Sequence, residues 1–233
     1  MHGVGTEDVF QAVRSAREML DLDAPIDDIH DVLRADQHLA GLLRRRPGVR
    51  VPGAWDGFEL TVRAILGQQV SVRAATTLAG RIAARYGEPV ALPASLSDRR
   101  HITLGRLFPA PEKLARARFN RIGLVPSRAA TIRRVAAAVM NGDIRFDDTR
   151  EPDELRAGLM AVRGIGEWTA EYVVMRALKY PDAFPASDLG LLKAVDANRR
   201  LRANELKERA EAWRPWRAYA ALLLWGSLPG SGG

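Results

Sequence analysis

The sequence predicts an all-α protein, because apolar residues recur at helical spacing in nearly every segment and alternation typical of strands is scarce. Capping residues, prolines and glycines divide the chain into about ten helical runs. With 233 residues, the chain can form one or two domains with a sizeable core.

The first half of the chain contains five predicted helices. Thr6 is a typical N-cap residue for a helix that runs to about Leu20, with two acids in its positive first turn. Ser71 is the expected cap of a helix that runs to Tyr86 and ends at Gly87. The other runs are Ile26–Leu33, a run through Leu42, and Phe58–Leu66.

In the second half, residues 88–111 include four prolines and predict a long loop. Pro152 suits the first position of a helix that runs to Ala161, and a glycine-containing turn follows. The remaining predicted helices are Pro111–Phe119, Ser127–Met140, Trp168–Leu178 and three runs after Asp188, the last of them Pro215–Trp225. Residues 229–233 are small and glycine-rich, as is typical of a flexible tail.

The composition limits the chemistry. Lys and Arg number 35 against 28 Asp and Glu, a net charge of +7, and arginine suits phosphate because its fork donates two hydrogen bonds at once. A polyanionic partner fits this balance, as does the ordinary composition of an Arg-rich proteome. The chain has no cysteine, which excludes disulfides, iron-sulfur ligation and thiol nucleophiles, and its four histidines lack metal-binding spacing.

No long apolar run opens the chain, and no apolar stretch reaches the roughly 20 residues that span a bilayer. We therefore expect an intracellular, cytoplasmic protein associated with the nucleoid. We also expect it to be a monomer.

A turn with two glycines lies in Val162–Trp168 (VRGIGEW). Gly164 permits a tight turn, and Gly166 places bare N–H groups at the start of the following helix, where the helix dipole favours a phosphate. Ile165 is expected to anchor the turn by packing inward, and Arg163 and Thr169 offer further phosphate contacts. Such contacts hold DNA without reading its sequence. A plain corner between two helices is the alternative.

Three spaced motifs together resemble the helix-hairpin-helix DNA glycosylase superfamily, and specifically its branch of 3-methyladenine glycosylase II. They are Val62–Ser71, the hairpin pattern Leu159–Ala170 followed by Asp188, and Trp213–Trp225. The resemblance covers roughly residues 54–225 and implies two helical subdomains with a cleft between them, with the hairpin at about residues 152–178. It implies a core at 54–228, on which an N-terminal helical segment, 1–53, packs.

The resemblance implies a catalytic role for Asp188. Members of this family flip a damaged nucleotide out of duplex DNA and cut its N-glycosidic bond. A carboxylate beside the sugar stabilises the positive charge that develops there, and it can orient the attacking water. The alternative for this position is helix N-capping by Ser187 or Asp188.

The resemblance also implies a base pocket formed by Trp168, Tyr172 and Trp225. Trp168 and Tyr172 stand at i and i+4 and so share one helix face. An aromatic wall attracts the cationic ring of an N-alkylated purine. Aromatic residues at this spacing are also common in cores, which is the role we expect for Trp213, Trp216 and Tyr219.

Position 168 bears on the reaction type. Bifunctional relatives carry there a lysine that attacks the sugar and leads to strand cleavage. Trp168 therefore implies a monofunctional enzyme that excises alkylated purines, such as 3-methyladenine and 7-methylguanine, with water as nucleophile and no AP-lyase activity. No cofactor is expected. The alternatives are a catalytically inactive DNA-binding module, or a glycosylase for hypoxanthine, uracil or oxidised guanine.

Two further roles follow from the resemblance. Gln69 aligns with the wedge that fills the hole left by the flipped nucleotide, where one relative has leucine; a polar loop residue is the alternative. Hairpin carbonyls in relatives can hold a monovalent cation, which implies Met160, Val162 and Ile165 as its ligands. The bacterial inducible relative has an additional mixed α/β domain that residues 1–53 are too short and too helical to supply.

Overall fold

The structure is a computed structural model that describes residues 5–90, 105–147, 151–196 and 201–228. Across these ranges the regular structure is α-helical, apart from a 3-10 turn at Glu211–Trp213 and an isolated antiparallel bridge between Pro89 and Arg106. The prediction of an all-α fold is confirmed. The expected flexible tail, 229–233, and residues 91–104 of the expected long loop lie outside the described residues.

The described residues form twelve α-helices, which we number in chain order. They are α1 (Thr6–Met19), α2 (Ile26–Leu33), α3 (Gln37–Arg45), α4 (Gly57–Gly67), α5 (Val72–Tyr86), α6 (Pro111–Ala115), α7 (Pro126–Met140), α8 (Pro152–Ala161), α9 (Glu167–Ala177), α10 (Leu189–Val195), α11 (Ala203–Ala210) and α12 (Arg217–Gly226).

Most helix ends lie within about two residues of the predicted positions, and the largest difference is at the end of α6. Gly5, rather than Thr6, is the N-cap of α1, and its N–H donates to the Asp8 carboxylate at 3.0 Å. Helix α6 ends at Ala115, four residues before Phe119, with a non-helical C-cap at Arg116, and the chain beyond it has left-handed φ values of +50° at Phe119 and +59° at Arg121. Ser71 caps α5 as predicted, accepting from the N–H of Ala74 at 3.3 Å.

The chain forms two compact units. Unit 1 comprises Met1–Gly57, Asp147–Pro152 and Gly166–Gly233, as far as these are described, and unit 2 comprises Phe58–Phe146 and Asp153–Ile165. The expected N-terminal segment therefore groups with the C-terminal third of the chain. The two helices of the predicted hairpin, α8 and α9, are assigned to different units.

Unit 1 joins distant segments through two buried or half-buried aspartates. Asp21 accepts hydrogen bonds from the N–H of Val51 and the hydroxyl of Tyr219, both at 2.9 Å. Burial and this bond to Asp21 raise the pKa of Tyr219, so the phenol stays protonated and donates. Asp36 caps α3 and also accepts from Arg209 and from the indole of Trp213, at 3.1 Å each. These contacts hold α1 to α3 against the C-terminal helices.

The core of unit 2 is aliphatic. Its fully buried side chains include Ile65, Ile82, Ile132, Leu155 and Leu159. Burial of one such side chain contributes about 1.5–3 kcal/mol. Within the part of the chain that the structure describes, no helix combines the length and apolarity needed to cross a membrane.

Candidate active site and hairpin turn

Asp188 is the N-cap residue of α10. Its backbone is extended, with φ −68° and ψ 123°, and its Oδ1 accepts from the N–H of Leu191 at 2.9 Å. The capping expected for this position therefore belongs to Asp188 and not to Ser187. Capping leaves other lone pairs of the carboxylate available, because a carboxylate offers about four acceptor positions.

Two indole groups converge on the same carboxylate. Trp168 Nε1 donates to Oδ2 of Asp188 at 2.7 Å, and Trp225 Nε1 donates to Oδ1 at 2.9 Å. All three side chains are half-buried. With the cap bond, Oδ1 has two donors and Oδ2 has one, so the carboxylate is held in one orientation with acceptor capacity left at Oδ2.

The three predicted pocket aromatics lie together, because Tyr172 packs against both indoles that bind this carboxylate. The rings of Trp168 and Tyr172 are stacked, with centroids 5.4 Å apart and an interplanar angle of 6°. Tyr172 meets Trp225 edge-on, with centroids 6.5 Å apart. Trp213 and Tyr219, by contrast, are buried, as expected of core residues, and Trp216 is half-buried against Tyr219.

Arg176 completes this arrangement and was not predicted. Its Nη1 donates to the hydroxyl of Tyr172 at 2.9 Å, and its guanidinium lies 5.5 Å from the centroid of the Tyr172 ring. Its Nε donates to the carbonyl of Pro52. Tyr172 is thereby tied to the segment before α4. The signal that could have identified Arg176 is its place as the next i+4 residue after Trp168 and Tyr172.

Gly190 is a second residue that sequence reasoning missed. A Cβ atom built on it would lie 2.9 Å from Oδ1 of Asp188 and 3.4 Å from Cδ1 of Trp225. A Cβ atom at this position would therefore require the Asp188 carboxylate to shift, whereas its distance from the indole is that of an ordinary contact. The glycine two residues after a cap residue was the available signal.

The segment that precedes Asp188 is anchored by a buried ion pair. Asp182 is 5% exposed and receives two hydrogen bonds from Arg217, at 2.6 and 3.0 Å. The N–H of Phe184 donates to Glu171 of α9 at 3.1 Å. These contacts connect the segment to α12 and to the helix that carries Trp168, and so position Asp188 relative to that indole.

The glycine turn has the predicted local conformation. Gly164 has a φ of +104°, and Gly166 is the N-cap of α9, which begins at Glu167. Ile165 is buried, whereas Arg163, Gly164 and Gly166 are exposed. The turn thus offers bare backbone at a helix N-terminus, the arrangement that suits a phosphate.

Thr169 does not fit its expected place among the phosphate contacts. The residue is 3% exposed, because it lies on the inner face of α9 together with Ala170 and Val173. Its side chain is therefore not exposed to a phosphate at the N-terminus of α9.

Within unit 2, one side chain from α7 and one from the turn after α4 hold the glycine turn. The Oγ1 of Thr131 donates to the carbonyl of Arg163 at 3.2 Å, and Nε2 of Gln68 donates to the carbonyl of Gly164 at 3.3 Å. A Cβ atom on Gly164 would lie 2.0 Å from Thr131 Oγ1. Sequence reasoning singled out neither Thr131 nor Gln68, since contacts across 32 and 96 residues leave no local pattern.

Gln69 lies in the turn between α4 and α5. It is exposed and has a φ of +56°. The expected wedge residue is thus presented on a strained turn beside Gln68.

Of the three carbonyls expected to bind a cation, that of Val162 accepts from the N–H of Ile165 at 3.0 Å.

The chain matches two family profiles. Residues 62–218 match the HhH-GPD superfamily of base excision DNA repair proteins, and residues 3–56 match the AlkA N-terminal domain. Residues 5–56 contain α1 to α3, so the matched stretch is helical where it is described.

Among curated proteins, the chain is 39% identical over 222 residues to the probable bifunctional transcriptional activator/DNA repair enzyme AlkA of Mycobacterium tuberculosis, covering 95% of this chain and 43% of the relative. It is 34% identical over 183 residues to DNA-3-methyladenine glycosylase 2 of Escherichia coli, covering 77% of this chain and 61% of the relative.

Among solved structures, a 3-methyladenine DNA glycosylase from Archaeoglobus fulgidus superposes with a TM-score of 0.78 at 25% identity, covering 95% of this chain and 75% of that chain. The present chain thus spans between about two fifths and three fifths of the length of these two curated relatives. It belongs to the HhH-GPD superfamily of base excision DNA repair proteins, in the AlkA-like branch.

Proposed function

We propose that this protein is a monofunctional DNA glycosylase that hydrolytically excises alkylated purines, such as 3-methyladenine and 7-methylguanine, from duplex DNA in base excision repair. The observation that carries the proposal is the carboxylate of Asp188 held by the indole N–H groups of Trp168 and Trp225. The names of the curated relatives support the same reaction class.

Asp188 supplies the electrostatic part of the reaction. Departure of the base leaves positive charge on the sugar, and a fixed carboxylate beside it lowers the energy of that state without reorganising. The three hydrogen bonds to Asp188 provide this fixed orientation. The remaining acceptor capacity of Oδ2 serves either the sugar or the attacking water.

The aromatic side chains supply selectivity for the damaged base. An N-alkylated purine carries a positive charge, and electron-rich rings attract a cation over their faces by about 0.5–2 kcal/mol. Trp168, Tyr172 and Trp225 form such a cluster beside the carboxylate. Normal purines are neutral and gain only the stacking part of this interaction.

The turn at Arg163–Gly166 is the proposed contact to the DNA backbone. Its exposed glycines allow a phosphate to approach backbone N–H groups at the N-terminus of α9. Gln69 is the proposed wedge, because an exposed amide on a turn can enter the duplex and hydrogen-bond the partner base. A monovalent cation on the carbonyls of Met160, Val162 and Ile165 remains part of the proposal.

The side chain at position 168 determines the proposed product. An indole cannot form the Schiff base that a lysine forms with the sugar, so water is the nucleophile and the abasic strand stays intact.

The test uses duplexes that each carry one lesion: 3-methyladenine, 7-methylguanine, hypoxanthine, uracil or oxidised guanine. Strand breaks are measured with and without alkali after incubation with the protein. The proposal predicts breaks at alkylated purines only after alkali treatment. Breaks without alkali would contradict the monofunctional reaction, and release restricted to another lesion would replace the substrate.

Asp188→Asn separates catalysis from binding. Loss of a group that stabilises transition-state charge costs roughly 100- to 1,000-fold in rate, while DNA binding persists. The matched control is Asp27→Asn, which alters an exposed aspartate on α2. An unchanged rate in Asp188→Asn would exclude the catalytic assignment. Salt-dependent binding by the wild-type protein without release of any base would indicate a DNA-binding module instead.

A further inference from the structure

Two long stretches of unit 2 carry basic residues and no acidic ones. Residues 60–87 contain four arginines, and residues 113–142 contain seven Lys or Arg, without a single Asp or Glu in either stretch. The two stretches fold into α4 and α5 and into the segment from α6 to α7. Glu59 pairs with Arg63 and Glu112 precedes the second stretch, but the other basic residues outnumber these acids, so this part of the chain carries an excess of positive charge.

Six of the eleven basic residues of these stretches line two adjoining grooves. The first groove has a volume of about 560 Å³ and is lined by Arg73, Arg81 and Arg128. The second has a volume of about 370 Å³ and is lined by Arg118, Arg121 and Arg133. Gly123 lines both. We call these six arginines the arginine surface.

Backbone carbonyls orient half of the arginine surface. Arg81 donates to the carbonyl of Ile122 at 2.9 Å, and Arg133 donates to that of Ala117 at 3.2 Å. Arg128 donates to the carbonyl of Gln68. A carbonyl is neutral and uses one of the five N–H donors of a guanidinium. Each of these arginines thus keeps its charge and most of its donors, in a fixed position on the wall of a groove.

The other three arginines, Arg73, Arg118 and Arg121, are exposed. A surface that combines fixed and exposed guanidinium groups suits a row of phosphates, because planar forks bind phosphate oxygens in pairs.

The arginine surface is continuous with the predicted wedge and the glycine turn inside unit 2. Val70 and Ser71, which directly follow Gln69, line the first groove. Arg128 bonds the carbonyl of Gln68, and the Gln68 side chain bonds the carbonyl of Gly164. A nucleic-acid strand that meets the wedge therefore lies next to the groove.

We propose that the arginine surface binds backbone phosphates of duplex DNA next to the wedge, as a contact additional to the glycine turn. The inference rests on the proposed function in taking DNA as the partner. These contacts are to phosphate, so they add affinity and fix the position of the duplex without reading its sequence.

The test measures how binding to an undamaged, fluorescein-labelled duplex of about 25 base pairs depends on salt between roughly 50 and 200 mM. The variant Arg73→Gln/Arg118→Gln/Arg121→Gln removes three exposed charges from the arginine surface. The control Arg44→Gln/Arg45→Gln/Arg202→Gln removes three exposed charges from unit 1. Both variants change the net charge equally.

A plot of log affinity against log salt concentration has a negative slope, and each lost phosphate contact reduces the magnitude of that slope by about one. The magnitude should therefore fall by about three in the arginine-surface variant and by almost nothing in the control. Equal slopes in the two variants would overturn the inference. Weaker binding to duplex RNA with unchanged DNA binding would overturn it too, by identifying RNA as the partner. If the triple variant does not fold, Arg73→Gln alone should reduce the magnitude of the salt slope by about one.

The readout is independent of base release. If the wild-type protein releases alkylated purines and the arginine-surface variant has an unchanged salt slope, the inference is rejected and the proposed function stands. If the wild-type protein releases no base but the arginine-surface variant has a reduced salt slope, the proposed function is rejected and the inference stands.

Discussion

The indole nitrogen of Trp168 lies 2.7 Å from Oδ2 of Asp188, while the ring of the same residue is stacked on Tyr172. One side chain therefore takes part both in the aromatic cluster and in holding the carboxylate. These two contributions can be separated by substitution, because the first depends on the ring and the second on the N–H group.

Trp168→Phe keeps an aromatic ring and removes the donor to Asp188. A hydrogen bond to a charged group contributes about 1.5–3 kcal/mol, which corresponds to roughly 10- to 100-fold in rate if it acts in the transition state. We expect single-turnover base release to slow by this factor, with DNA affinity nearly unchanged. Tyr172→Phe is the control, since it removes a hydroxyl that bonds Arg176 rather than Asp188. Equal effects of the two substitutions would contradict this role of the indole.

Gly190→Ala should reduce activity without reducing stability. Alanine favours a helix over glycine by about 1 kcal/mol, but its Cβ would lie 2.9 Å from Oδ1 of Asp188 and displace the carboxylate. Misplacement of a catalytic group by about 1 Å can cost on the order of 100-fold in rate. We expect at least roughly tenfold slower release at an unchanged midpoint of thermal unfolding.

Gly80→Ala provides the comparison, because a Cβ atom at that helical position meets nothing within 4 Å. It should be at least as stable as the wild type and fully active. Full activity of Gly190→Ala would contradict the requirement for a fixed position of the Asp188 carboxylate.

The sequence allowed the site to be predicted where the signal is local. The helical face shared by Trp168 and Tyr172 and the left-handed turn at Gly164 follow from spacing and residue type. The place of Asp188 beside the two indoles came from the resemblance to a family, since 20 and 37 residues separate it from its partners.

What could not be predicted depends on contacts between distant segments. Arg176 donates to the carbonyl of Pro52, which lies 124 residues away in sequence, and a periodic pattern cannot predict a contact between such distant residues. The burial of Thr169 depends on which face of α9 packs inward, whereas the motif alone placed it at the surface. The grouping of α1 to α3 with the C-terminal helices has the same origin, because it follows from side chains such as Asp36 and Arg209.

The two glycines of the turn should respond differently to alanine. Gly164→Ala places a Cβ 2.0 Å from Thr131 Oγ1 at a φ of +104°, so both the clash and the backbone strain oppose it. Left-handed backbone alone costs about 1–2 kcal/mol for a residue with a Cβ. Because the clash adds to this backbone cost, we expect the total loss of stability to exceed it, seen as a lower urea midpoint, together with weaker DNA binding.

In Gly166→Ala the added Cβ meets nothing within 4 Å, so only the poorer N-cap propensity of alanine, roughly 0.5–1 kcal/mol, should reduce its stability. The added methyl group stands at the N-cap of α9, where the proposed phosphate approaches. Weaker DNA binding, with a smaller loss of stability than in Gly164→Ala, is the expected result. Unchanged binding would contradict a close approach of phosphate to this backbone.

Asp36 should make the stability of unit 1 dependent on pH. Burial raises the pKa of its carboxyl, but hydrogen bonds from the N–H of Leu39, from Trp213 and from Arg209 outweigh burial and hold the pKa below its ordinary value. Since the pKa is lower in the folded protein, the stabilisation is complete above the unfolded value of about 3.9 and is lost as the pH falls through the folded value.

Asp36→Asn retains a capping side chain and removes the charge. At pH 7 the variant should be less stable by about 1–3 kcal/mol, because the ion pair with Arg209 loses its acceptor charge. Protonation of the wild-type carboxyl produces the same loss, so the difference between the two proteins should shrink as the pH falls from about 5 to about 2. Urea unfolding monitored by tryptophan fluorescence measures this difference. A difference that stays constant over that range would show that the charge of Asp36 does not stabilise the fold.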